Sequence, residues 1–318
     1  MVKPQSTTSR QLKLCKKIHN FMRWKTIAFT LSSILLILSV TSLALRGLNW
    51  GLDFTGGSIM EVMFEKPTNL DTIRISLQQA GFSEVQVKNF GVSRDIIIRI
   101  AISNPLESHN LSNQIIHIIT QSTRQHANLK HFEFIGPSVG EELIQSGILA
   151  LIVALILIFI YVSFRFEWRL ALGTVVALLH DVIMTLGMLS LLKIEINLTI
   201  IASLMSVIGY SLNDSIVISD RIRENFRSRY NNLMNAQEIV NLSLTQVVNR
   251  TIITSLTTLA VVTTLLLFGG EMLKGFSITM LMGIMFGTIS SIYVVSALAL
   301  ELGMKGEHLN KIDIENRG

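Results

Sequence analysis

Charged residues make up only 15% of this 318-residue chain, against 49% hydrophobic ones, and the mean hydropathy is +0.51. So sparse a charge excludes an ordinary soluble domain, because the apolar excess must face lipid. Cysteine is all but missing: the single Cys15 excludes an internal disulfide and a cysteine-based zinc site. The formal net charge of +5 does not point to nucleic acid, since the Lys and Arg residues sit beside apolar runs instead of forming one patch interleaved with aromatics. A phosphate-binding loop is also lacking. The glycines of Gly51-Leu52-Asp53-Phe54-Thr55-Gly56-Gly57 are followed by a strand-like run and by no Lys-Ser or Lys-Thr pair. His180 has Met184 at i+4 where a zinc helix would place a second ligand, so neither metal nor cofactor is expected, and no enzymatic step.

What the chain does have is long apolar runs. A helix needs roughly 20 apolar residues to cross a bilayer, and six windows qualify: 27–45, 143–163, 170–192, 198–218, 251–268 and 276–300. The first resembles a signal peptide in its preceding Lys16, Lys17, Arg23 and Lys25 and in Ser42-Leu43-Ala44 near its end. Its apolar stretch, however, exceeds the ~7–15 residues of a signal h-region, and a long polar leader comes before it. Lys and Arg concentrate in the leader 1–26, the 164–169 connection, the loop 219–250 and the tail 301–318, while the opposite short loops hold only Lys193 and Lys274. The positive-inside rule then predicts both termini in the cytoplasm and the segment 46–142 outside.

That segment reads as a small α+β domain. Strands are expected at 57–64, 84–90, 94–100 and 131–135, with helices from Thr68-Asn69-Leu70-Asp71 to Gly81 and over 106–125. The order β-α-β-β-α-β is that of the ferredoxin-like split βαβ unit. One helix, a domain and then five closely spaced helices (143–300) make half of the twelve-helix plan in which two such halves face each other.

Four strings carry a family resemblance: Gly51–Gly57; His180-Asp181-Val182; Gly209-Tyr210-Ser211-Leu212-Asn213-Asp214-Ser215 with its continuation to Asn225; and Asn249-Arg250-Thr251. Together, and in this order from about Trp24 to Leu300, they resemble the SecF branch of the SecD/SecF family, relatives of the RND transporters. The resemblance implies an accessory subunit of the Sec preprotein translocase in the inner membrane. It further implies association with SecD, the SecYEG channel and YajC, and use of the proton motive force to help preproteins across. An RND-like exporter of small molecules or lipids and a non-transporting translocon scaffold are the alternatives.

Chemistry in such a chain belongs to ionisable groups inside the spans, which are costly to bury unless paired, hydrated or protonated. Asp214, with Asn213 beside it, is the first candidate for a proton pathway; helix glue is the bland alternative. Arg250 heads the fifth window, with Thr254, Thr257 and Thr258 at helical spacing behind it. Either Arg250 approaches Asp214 and the hydroxyls line a water chain, or Arg250 is a headgroup anchor and the threonines bond their own helix. Asp181 and His180 lie halfway along the third window, as part of a conducting core or as one interhelical strut. Gly51, Asp53, Gly56 and Gly57 are expected to form the joint between domain and membrane, with Asp53 satisfying its own turn's amides. Gly283 and Gly287 form a small-xxx-small pair for close helix approach.

Overall fold

A computed structural model describes residues 18–82, 85–90, 92–100, 108–227 and 234–304. Most of the basic leader, Cys15 and nearly all of the tail from 305 onward therefore lie outside the described residues, as do Glu84 and the start of the helix expected at 106.

Six helices are long and apolar enough to span a membrane: Phe21–Arg46, Val139–Arg165, Trp168–Leu191, Leu198–Arg227, Ala236–Phe268 and Leu273–Glu301, called here spans one to six. The sixth packs against the third, fourth and fifth, and is the axis of the bundle. The first lies mainly on the third, and the second is almost wholly peripheral. Burial is inverted relative to a water-soluble protein. Large apolar side chains such as Ile27, Leu31, Leu149, Leu157, Ile253 and Leu256 are exposed, while Thr174, Asp181, Ser203, Ser211, Asp214, Ser215, Ser290 and Ser291 are buried. Lipid solvates alkyl groups as well as a protein core does, so helices associate through close packing and interhelical hydrogen bonds, which favour small and hydroxylated residues. Gly283 shows the packing side of this: a Cβ there would come within 2.3 Å of a Val207 methyl on span four. Gly187 similarly admits Ser39 of span one.

One expectation needs correction. The segment 219–250 is mostly helical where it is described: span four continues as helix to Arg227, and the fifth helix already begins at Ala236. The apolar windows end where the side chains become polar, but a helix backbone satisfies itself regardless of polarity. Here it is begun by a capping box of Asn235 and Glu238. The Met22 amide donates to Asn241 Oδ1 at 2.9 Å, tucking the start of span one against this helical extension.

The α/β domain carries β2 (Gly57–Phe64), α1 (Leu70–Gln79), β3 (Val85–Phe90), β4 (Val92–Ile100), α2 (Ser108–Thr123) and β5 (Ala127–Ile135). The sheet order is β3-β4-β2-β5 with every neighbouring pair antiparallel. Asn69 caps α1 by accepting from the Asp71 amide, and Ile73 and Leu77, one turn apart, point into the core. They meet Met60, Val62, Ile96 and Ile98, the inward-facing alternate residues of the central strands. β5 starts four residues earlier than the 131–135 expectation, because its first half is polar outward and breaks the apolar alternation. Two further short strands, β1 (Asn49–Trp50) and β6 (Glu195–Ile196), pair in parallel between distant segments.

On the domain surface, Lys130 donates to Asp95 Oδ2 at 2.8 Å and lies 3.7 Å from Glu61. The bond to Asp95, reinforced by the two negative charges, raises the ammonium above its usual 10.5. Its contribution to stability is therefore complete below the unfolded value and is lost as pH rises through the higher folded one. Lys130→Met is expected to lower domain stability slightly at neutral pH, where the bond contributes fully, and to leave it unchanged above the folded value, so that the alkaline limb followed by hydrogen exchange is flatter. In the bundle, Gly283→Ala is expected to cost about 1–3 kcal/mol by overpacking, read as a lower thermal midpoint in detergent. Adding Val207→Ala should restore part of the loss.

Candidate functional site

The glycine-rich string forms a joint with more partners than its position after span one suggests. The Gly51 amide donates to Ile196 O at 2.8 Å, extending the β1–β6 ladder. A Cβ on Gly51 would stand 2.8 Å from that oxygen, so the close approach requires glycine. Leu52–Thr55 make one helical turn that buries Phe54 against Leu189, Ile196, Ile200 and Leu204. The carbonyl of Phe54 presses on Gly140 of span two so closely that a Cβ there would approach to 2.2 Å. Gly56 and Gly57, at φ of 75° and 140°, reverse the chain into β2.

Asp53 does not satisfy its own turn's amides. Its Oδ2 accepts from the Leu198 amide at 2.9 Å and thereby caps span four, whose first N–H groups have no intrahelical acceptor. The turn's amides have already found the Gly51 carbonyl, from Phe54 at 3.0 Å and Thr55 at 3.1 Å, leaving the carboxylate free for a neighbour. Glu195 completes the joint, pairing with Arg99 at 2.7 Å and Lys88 at 3.4 Å, both from the domain sheet. No sequence motif had singled it out.

Deeper in the bundle, Asp181 is 1% exposed and accepts three hydrogen bonds or ion-pair contacts. Its Oδ1 lies 3.0 Å from His180 Nδ1, while Oδ2 accepts from Ser211 Oγ of span four at 2.6 Å and from Ser290 Oγ of span six at 2.7 Å. The other ring nitrogen of His180 lies 2.6 Å from Ser32 Oγ of span one. The adjacent pair thus forms a strut between helices. Neighbouring positions diverge on a helix, and here the divergence lets His180 face span one while Asp181 faces inward. Ser32, Ser211 and Ser290 were not legible beforehand, since serines are scattered through all the spans.

Asp214, one turn beyond Ser211 on span four, is 3% exposed, and its Oδ2 has no hydrogen-bond partner among the described residues. Ser215 beside it exchanges a 3.0 Å hydrogen bond with Ser291. Arg250 is near enough for its charge to act on Asp214, but among the described residues no base makes an ion pair with that carboxylate. Arg250 is exposed and stands well inside the fifth helix, not at its start. Asn213 is exposed, so adjacency in sequence does not bring its amide into the seam. The hydroxyls of Thr254, Thr257 and Thr258 bond carbonyls of their own helix. The polar residues this helix buries are instead Asn241 and Ser243 in its first turns and Thr251 and Ser255 further along, with Ser255 bonded to Thr288 at 2.8 Å.

Six spans around a polar seam, with a folded domain clamped to one end, define a multi-pass membrane protein. A family model described as the C-terminal part of the protein export membrane protein SecD/SecF matches residues 115–305, and one for the SecD/SecF GG motif matches 41–68. The chain belongs to the SecD/SecF family of protein-export membrane proteins. It is 55% identical over 318 residues to protein translocase subunit SecF of Escherichia coli O157:H7, covering 99% of this chain and 97% of that protein. Its identity to the corresponding subunit of Vibrio alginolyticus is 49%, covering 97% of both. The crystal structure of SecDF from Thermus thermophilus superposes with a TM-score of 0.78 at 36% identity, over 91% of this chain and 39% of the SecDF chain.

Loss of the span-four cap is measurable. Asp53→Ala is expected to destabilise the joint by about 0.5–2 kcal/mol, seen as faster hydrogen exchange at the Leu198 and Thr199 amides. Asp53→Asn, which keeps an acceptor oxygen, should stay close to wild type.

Proposed function

We propose that this chain is an accessory subunit of the Sec preprotein translocase in the cytoplasmic membrane. It works with SecD and the SecYEG channel, with YajC as an additional partner, and draws on the proton motive force to promote preprotein translocation. In this reading both termini face the cytoplasm and the α/β domain lies on the far side, which the distribution of Lys and Arg supports. Unfolded chain held there cannot slide back.

The observation that carries the proton-coupled reading is the buried Asp214 Oδ2 without a partner. A carboxylate that is desolvated and incompletely bonded is unstable when charged, and neutralisation by a proton relieves the cost. Both oxygens of Asp181, by contrast, are already committed to neighbours. Asp214 is accordingly assigned as the proton carrier and Arg250 as the charge that approaches or withdraws from it. Asn213 and Thr254 extend the polar surface toward a partner bundle, and Asp181 and His180 belong to the core around the carrier. One charge crossing 100 mV releases roughly 2.3 kcal/mol, enough to shift a two-state equilibrium between domain orientations by more than tenfold. The joint at Asp53 and Glu195 is the route by which such a shift reaches the domain.

The experiment is pulse-chase export of a signal-peptide-bearing protein in cells depleted of this subunit, complemented with wild type or Asp214→Asn at matched levels. Wild type is expected to restore export, and Asp214→Asn to assemble without restoring it. Equal restoration would favour a scaffold role, in which the amide still serves as helix glue. Normal export during depletion would remove the Sec assignment.

A further inference from the structure

Span one carries the domain: its last residue, Arg46, is followed directly by the Gly47–Gly57 joint. Yet it is the span most lightly attached to the bundle among those with buried polar groups, since only Ser39 and Ser42 on it are polar and buried. Its polar contacts to span three run along one face. Ser32 meets His180 at 2.6 Å, Ser39 Oγ lies 3.6 Å from Met184 Sδ, and Ser42 meets Ser190 at 3.1 Å. Of these, only the His180 contact continues inward. Through His180 it reaches Asp181, and through Asp181 the hydroxyls of Ser211 and Ser290, each within one turn of the groups that surround Asp214.

Building on the proton-coupled reading, we propose that His180 is a positioning residue. It fastens span one, and with it the α/β domain, to the Asp181 carboxylate that sets spans three, four and six around Asp214. The imidazole suits the task because its two nitrogens face opposite ways and can engage Ser32 and Asp181 together. Asp181 suits its part because a carboxylate accepts several hydrogen bonds at once, so one buried group registers three helices. In this arrangement His180 acts through hydrogen bonds and carries no proton of the transport cycle. A glutamine, whose amide supplies both an N–H donor and a carbonyl acceptor, should replace it, and an apolar residue of similar size should not.

The test uses the full chain in membranes with its translocase partners, in a Cys15→Ser background carrying Ser42→Cys and Ser190→Cys. The rate of disulfide formation between those positions reads the seating of span one, and pulse-chase export is measured in parallel. His180→Leu is expected to slow cross-linking roughly fivefold, the factor corresponding to loss of about one net hydrogen bond, and to impair export. His180→Gln is expected to keep both near wild type. Wild-type behaviour of His180→Leu in both measurements overturns the proposal. So does slow cross-linking in His180→Gln, as does loss of export in His180→Gln with normal cross-linking, which would make the imidazole a proton carrier. Asp214→Asn run alongside separates the two ideas. If it abolishes export while both His180 variants are normal, only the positioning role fails. If it exports normally, the proton-coupled reading fails, and cross-linking still judges the fastening of span one.

Discussion

A polar group that this chain buries in its membrane region can find a partner only within the protein, because hydrocarbon offers none. The Asp181 carboxylate is where that constraint is met most fully. It draws a histidine from its own helix and one serine each from spans four and six, and the histidine in turn draws a serine from span one. Apolar packing alone would let these helices rotate or slide, since lipid-facing leucines are indifferent to their neighbours. The hydrogen bonds fix a register, and glycine contacts such as Gly283 on Val207 and Gly187 on Ser39 bring the backbones close enough to permit it.

Asp214 is the counterpart to this satisfied centre. It lies on span four, one turn from the Ser211 that serves Asp181, and is buried nearly as deeply, with an oxygen left without a partner among the described residues. The contrast divides two carboxylates of the same type into a framework group and a group free to change state, through their surroundings alone. The domain joint repeats the logic at the membrane surface, where Asp53 caps span four and Glu195 gathers two cations from the domain sheet. A change in the tilt of span four would therefore be felt by the domain through a hydrogen bond, without a flexible linker in between.

The six spans and the β-α-β-β-α-β order were legible because hydropathy and alternation are properties of consecutive residues. The opening of α1 within Thr68–Asp71 and the strand Gly57–Phe64 were legible for the same reason. Helix ends were less so. Arg227 and Ala236 lie beyond the apolar windows, and nothing in side-chain polarity tells a helix to stop there. The stripe expected on the fifth helix was displaced to Thr251 and Ser255, because helical spacing marks out faces without saying which one meets a neighbour.

The amino-acid sequence by itself thus determined that the chain spans a membrane, how its elements follow one another, and which ionisable residues lie within the spans. These depend on local composition and on the cost of placing charge in lipid. Only the tertiary structure decided that Asp53 serves a helix 145 positions away, that Asn213 points out while Asp214 points in, and that three unremarkable serines complete the Asp181 centre. A hydrogen bond between distant helices depends on their rotation and separation, and those are set by the packing of the whole bundle.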